Sequence, residues 1–388
     1  MLSVSPQERA ARLEGLVSPD VVEDTDAVAH HYAHAAWSCL TEPGDGVAGA
    51  LIAEMGVVDA LETALGSGGR TTPALEAGRK RWQARVETIE DAFDRAKRAG
   101  ARLIVPGSPE WPQRVDDLGV HAPRALWARG DLEALSRDRA LALVGARAAT
   151  GYGEHVTGEL ATHLARRGVT IVSGGAYGID GMAHRGCLAT GGTTVAALAG
   201  GVDRAYPAGH ADLLGRIAQG PGVVIAEVPC GTPPTKWRFL QRNRLIAALS
   251  DATVVVEAGW RSGSLNTAGH ASALGRPLGA VPGPVTSAAS AGCHRLLREY
   301  DARCVTSADD ACELLGTLGD ERPTPTDRTD DRTRVLDALS ARSPRSPDDL
   351  ARRAGIAPDE VRGLLAMLEL DGRVRRGSDG WRRVTSSS

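Results

Sequence analysis

The stretch VTIVSGGAYGIDGMAH, residues 169–184, decides the reading of the fold. An apolar β-branched run ends in a glycine-rich turn, and a helical pattern with Asp180 in its first turn follows. Strand, glycine turn and helix in that order open a βαβ unit. Such a turn frees backbone N–H groups at a helix start, where an anion is favoured by about 0.3–1 kcal/mol per contact. The dinucleotide fingerprint G-x-G-x-x-G is not met: the glycines stand at 174, 175 and 178, and position 176 is Ala. No P-loop occurs in the chain. The turn reads as an anion site without the spacing of a cofactor loop, and no cofactor is expected.

Outward from this turn the same alternation recurs. The apolar runs are RLIV (102–105), LALVG (141–145), VTIVSG (169–174), TVAALAG (194–200), VVIAEV (223–228), TVVVEA (253–258), LGAVPG (278–283) and RCVT (303–306). Most are separated by one amphipathic helical pattern, the signature of a parallel sheet covered on both faces. The fold class is α/β, with an extended Rossmann-like parallel sheet over residues 100–316. Residues 1–99 read as an Ala-rich helical domain, with a turn at EPGDG, a loop at 66–73 and a helix over 74–99. The polar, proline-bearing stretch 317–331 reads as a linker. Beyond it, 332–388 reads as three helices and a hairpin, a winged helix. Ser346 is its second N-cap, Pro347 takes the first helical position, and Gly355 follows the helix end.

Composition narrows the function. At 42% apolar and 24% charged, the 388 residues are those of a soluble globular chain, and no apolar run is long enough to span a membrane. The N-terminus lacks a signal-peptide layout, so a cytoplasmic location is expected. Six scattered cysteines without a CxxC pair argue against zinc and disulfides, and His30, His31 and His34 read as a solvated helix face. Net charge is −3, but 332–388 carry 12 Arg against 8 acidic residues, which leaves −7 elsewhere. A nucleic-acid site in the larger part must be a local basic pocket.

Ligands of open parallel sheets sit beyond the C-terminal strand ends. That edge holds Tyr152, Tyr177, Tyr206, Trp237, Phe239 and Trp260, six of fourteen aromatics, among several Arg. Rings interleaved with cations describe a groove that follows a backbone and stacks bases. Half of the rings are expected to cap the core instead. In KWRFLQRNRLIAALS (236–250), Arg242 shares the buried stripe of Leu245, Ile246 and Leu249. A charge there is costly to bury unpaired, so it is better placed emerging at the groove. Arg244 points to the opposite side. A structural ion pair of either with Glu227 or Glu257 is the alternative. SGSLNTAGHA (262–271) sets Ser262, Gly263, Ser264 and Thr267 at another helix start, a second anion pocket. An Asp180–His184 pair lacks a nucleophile, and no carboxylate cluster suited to acid–base work appears.

On these residues the chain resembles the DNA-processing protein A (DprA, or Smf) family. The strings VGARAATGYG, SGGAYGIDGMAH, LAGGVDRAYPAGH, the 227–271 segment and GRPLGAVPG carry the resemblance in family order across about 100–316. It is looser over the N-terminal helices, which resemble a SAM-like domain, and over the winged helix. The resemblance implies a bacterial single-stranded DNA-binding protein that protects incoming DNA and loads the RecA recombinase in natural transformation. It implies a homodimer and no catalysis. By position it implies DNA contacts at Arg147, Lys236, Phe239, Arg242, Asn243 and Arg244, with Gly174 and Gly175 facing phosphate beside Ser173. Position 177, often basic in the family, is Tyr177 here, which exchanges a phosphate contact for a stacking surface. The third helix of the winged helix is acidic (Asp359, Glu360, Glu369, Asp371), a poor groove reader. The other class of function is a LOG-like (lysine decarboxylase-like) nucleotide hydrolase, but the strand end EAGWRSGSLNTAGHA lacks that family's PGG and downstream Glu. A third is a sequence-specific regulator acting through the winged helix.

Overall fold

The computed structural model describes residues 4–66, 72–316 and 331–384; the stretch read as a linker falls outside these save for Asp331. Two compact units divide the chain, Met1–Thr317 and Leu318–Ser388.

The first unit opens with helices α1 (Pro6–Leu13), α2 (Pro19–Glu23), α3 (Thr25–Leu40), α4 (Gly46–Met55), α5 (Val57–Leu65), α6 (Pro73–Gln83) and α7 (Thr88–Arg98). The expected single helix over 74–99 is two, broken at residues 84–87. Asp24 and Asp45 cap α3 and α4 by accepting from the first free N–H groups. The three histidines are not a solvated face. His34 is buried and its Nδ1–H donates to Arg124 O (2.6 Å), while the His30 ring packs on it at 4.6 Å.

A nine-stranded sheet follows. Its elements in chain order are β1 (Arg102–Ile104), β2 (Leu126–Gly130), β3 (Ala140–Val144), α8 (Gly151–Arg166), β4 (Thr170–Ser173), α9 (Ile179–Leu188), β5 (Thr194–Leu198), α10 (Ala211–Gln219), β6 (Val223–Ala226), α11 (Lys236–Ala248), β7 (Ala252–Val255), α12 (Ser264–Ala273), β8 (Leu278–Ala280), α13 (Ala291–Glu299), β9 (Arg303–Cys304) and α14 (Ala308–Leu314). The order is β1-β2-β6-β5-β4-β3-β7-β8-β9. Seven strands are parallel, as the repeated βα units require. The strand absent from the sequence reading is β2, antiparallel to both β1 and β6.

Side chains alternate between the two faces. Ala140, Ala142 and Val144 of β3 face α11, α12 and α13, whereas Leu141 and Leu143 face α8, α9 and α14. The N-terminal helices cover part of the sheet through one apolar cluster that includes Trp37, Trp82, Phe93 and Trp127. Trp127 is the anchor: Phe93 meets it edge-on at 6.1 Å and its Nε1–H donates to Ser38 Oγ (3.1 Å). Burying such a ring contributes several times the ~0.8 kcal/mol of one methylene.

The second unit is α15 (Asp331–Ala338), α16 (Pro347–Ala354), α17 (Pro358–Leu370) and the hairpin β10 (Val374–Gly377)–β11 (Gly380–Arg383), a winged helix. Its core joins Val335, Leu350, Val361, Leu365, Leu368 and Trp381. Ser346 caps α16 with Pro347 behind it, and Gly355 ends it at φ 63°, the left-handed conformation glycine adopts freely.

Candidate nucleic-acid interface

The strand order reverses between β3 and β7, and the helices that follow them, α8 and α12, lie on opposite faces. That reversal opens a crevice at the C-terminal strand ends. A cleft of about 170 Å³ occupies it, lined among others by Gly145, Arg147, Phe239, Asn243, Ser262, Ser264 and Thr267.

Arg147 is exposed, and its guanidinium lies over the Phe239 ring, 4.5 Å from the centroid. Cation and ring hold each other in a fixed orientation at the cleft. The loop that carries Arg147 is fixed by Glu257, which the residue pattern offered only as an ion-pair partner. Glu257 is buried; its carboxylate accepts from Thr150 N (2.9 Å) and Thr150 Oγ1 (2.6 Å), and its carbonyl from Ala146 N (2.8 Å). Gly153 leaves room for that carboxylate, since a Cβ there stands 2.2 Å from Oε2. Gly178, at φ 73°, lets the second loop close on the first: its Cβ meets Ala146 O at 2.3 Å.

Ser173, Gly174 and Gly175 are all buried. Asp180, in the first turn of α9, is buried beside the backbone N–H groups of Ala176 and Gly174. Burial pushes the Asp180 carboxyl above its usual range, opposed by the Arg242 guanidinium and those N–H groups. Ser173 Oγ donates to Leu143 O (2.7 Å).

Arg242 does not emerge into the groove as a free cation. It is 6% exposed and donates to Gly174 O (2.5 Å) and Ala197 O. Burial lowers its pKa to about 10, countered by Asp180, so it stays charged at neutral pH. A Cβ on Gly174 would stand 2.2 Å from its Nη1, so a larger residue there would displace the guanidinium. Arg244 is 4% exposed and pairs with Glu227 (2.6 Å), the structural ion pair left open by the residue pattern. It lies away from the cleft, and helical geometry explains this: two positions along a helix is a rotation of about 200°. Arg238 is held by Glu42 through two bonds of 2.8 and 2.9 Å.

Asn243 lines the cleft, its amide donating to Gly263 O and Asn266 Oδ1 (both 3.2 Å). The start of α12 brings Ser262, Gly263, Ser264 and Thr267 to the same cleft, with the two serine hydroxyls bonded at 2.7 Å. Lys236 begins α11 and is exposed. Tyr177 lies outside the cleft lining, half-exposed and edge-on to His210 at 4.8 Å. Tyr206 flanks Phe239 at 5.6 Å. The expectation that half of the edge rings cap the core does not hold: Tyr152, Tyr177, Tyr206, Trp237 and Trp260 are 43–59% exposed, and Phe239 is partly exposed. Among the described residues, no His, Cys, Asp and Glu group of three or more suits a metal ion, and no helix is long and apolar enough to cross a membrane.

Known proteins share this frame. The family model described as DNA recombination-mediator protein A matches residues 102–316, and the DprA winged helix domain matches 319–380. A Mycobacterium tuberculosis relative that carries the DprA name is 45% identical over 370 residues, 89% of this chain and 93% of that protein. Protein Smf of Escherichia coli is 42% identical over 193 residues, half of each chain (50% and 51%). The structure of DNA processing protein A from Streptococcus pneumoniae superposes with a TM-score of 0.61 at 28% identity, covering 75% of this chain and 99% of that one. That of the Helicobacter pylori protein, solved for its single-stranded DNA binding mode, gives 0.51 at 30%, covering 55% and 95%. Both family models and the relatives agree, and the chain belongs to the DNA recombination-mediator protein A (DprA/Smf) family of DNA-processing proteins.

Proposed function

We propose that the chain binds single-stranded DNA in the strand-end cleft, protects incoming DNA, and loads the RecA recombinase during natural transformation or recombination. It does so in the cytoplasm as a homodimer, without catalysing a reaction of its own. The observation that carries the reading is the Arg147 guanidinium stacked on Phe239 beside the hydroxyl-lined start of α12. A cation for phosphate and an aromatic face for a base, side by side, suit a single strand.

The sequence-derived site residues then divide by task. Arg147, Lys236, Phe239, Asn243, Ser262, Gly263, Ser264 and Thr267 meet the strand, and Tyr177 extends the surface. Arg242 lines the cleft with its guanidinium spent on carbonyls, and Ser173, Gly174, Gly175 and Arg244 shape the wall behind it. Residues 1–99, 100–316 and 332–388 act as helical, DNA-binding and winged-helix domains, joined across 317–331.

Binding of labelled single- and double-stranded oligonucleotides across a salt series tests the proposal. Affinity for the single strand falls with salt at a slope of about −0.7 per phosphate neutralised. Salt-independent affinity overturns the cleft assignment. The loading step is read as faster RecA assembly on single-stranded DNA with the wild type than with Arg147→Ala. Release of free base from nucleoside monophosphates would place the chain with the nucleotide hydrolases instead.

A further inference from the structure

Ser262 and Gly263, which form one wall of the cleft, follow directly on a tight turn that carries Trp260. Ser262 N–H donates to Gly259 O at 3.0 Å, which closes that turn. The turn is tied to the head of α13: Ala258 N donates to Ala289 O (2.9 Å) and Gly292 N to Ala258 O (2.7 Å). Gly292 permits the approach, because a Cβ there meets Ala258 and Gly259 at 2.7 Å.

On this fixed turn the Trp260 ring is 56% exposed, unusual for the largest apolar side chain. It is not a loose ring. Arg295 of α13 places its guanidinium 5.3 Å from the Trp260 centroid and 5.6 Å from that of Tyr300, and Glu299 holds the same guanidinium at 2.8 Å. Trp260, Arg295 and Tyr300 form a braced stack. Arg295 covers one side of the indole, and much of the remaining ring faces solvent. Arg261, next to it in the chain, and Arg298, one turn along α13 from Arg295, are both exposed. An indole oriented by a cation, with further exposed cations nearby and adjoining the wall of a hydroxyl-lined cleft, has the chemistry of a base-stacking platform with phosphate partners.

We propose that Trp260 is a second stacking station, taking a base of single-stranded nucleic acid that leaves the Arg147–Phe239 cleft over the β7–α12 turn. The proposal rests on the reading of that cleft as a single-strand site. The two separate by strand length, since a short strand fills the cleft alone and a longer one reaches Trp260.

Fluorescence anisotropy of full-length wild type, Trp260→Ala and Trp260→Phe is measured with oligothymidylates of about 5 and about 15 nucleotides, the span of single-strand site sizes. Trp260→Ala binds the longer strand about tenfold more weakly, the loss of one stacked base, and the short strand within about twofold of wild type. Trp260→Phe recovers most of the loss, and the salt slope is unchanged. Undiminished affinity for the longer strand overturns the proposal, as does an equal loss on both lengths. A changed mass of the free Trp260→Ala protein in light scattering also overturns it, by assigning the ring to a contact between copies. If wild type binds neither strand, the cleft reading falls and this one with it.

Discussion

Arg147 and Tyr177 show how unlike the tasks of neighbouring surface residues are. Arg147 brings a charge to the cleft mouth, whereas Tyr177 brings a ring braced on His210. Arg147→Ala is expected to weaken single-strand binding about tenfold and to reduce the salt slope by about 0.7, the share of one phosphate. Tyr177→Ala weakens binding with the slope nearly unchanged; equal effects on the slope refute the division. Arg244 belongs to neither group. Glu227→Gln strands its guanidinium in the interior, at a cost of about 3–5 kcal/mol in stability read by denaturant unfolding. Buried histidines add a pH dependence. Burial lowers His34 and His184 to about 3, so both are neutral in the folded chain, whereas the unfolded chain protonates them near the ordinary value of 6.5. Stability is full above pH ~6.5 and falls with decreasing pH by about 1.4 kcal/mol per unit for each histidine. Urea unfolding at pH 7 and pH 5, before the carboxylates titrate, measures this, and His184→Asn lowers the slope in that window by the share of one histidine.

At the scale of elements, the loops of the cleft depend on buried groups. Glu257 ties the Arg147 loop to the end of β7 through Thr150 and Ala146. Glu257→Gln retains one acceptor and loses the other, so the loop loosens. A several-fold loss of single-strand affinity with an unaltered salt slope is expected by the same anisotropy measurement, because no charge facing phosphate is removed. The glycine turn behaves likewise: its Gly174 carbonyl accepts from the buried Arg242. Strand β2 was illegible in the sequence for a related reason. LWARG is short and carries an arginine, and an antiparallel neighbour needs no helix-length crossover to announce it. Its Trp127 nevertheless joins the helical layer to the sheet.

For the whole molecule, the cleft is built by residues of the first compact unit alone. A chain ending at residue 316 is expected to bind single-stranded DNA within about twofold of the full chain at equal salt, so any larger loss would give the winged helix a share in binding. The α17 helix carries Asp359, Glu360 and Glu369, and its Arg362 is paired with Asp359 at 2.6 Å. The chain's alternation of apolar runs and helical patterns determined the parallel sheet, since strand and helix periods are local properties of side-chain order. The caps of α16 and the residues at the strand ends were equally local. Tertiary structure alone decided which cations remain free. Arg147, Arg242 and Arg244 are the same residue in the sequence, but one stacks on a ring at the surface, one is spent on backbone carbonyls and one on a buried glutamate. Partners that meet only when distant strands align carry that difference, and no spacing along the chain encodes it.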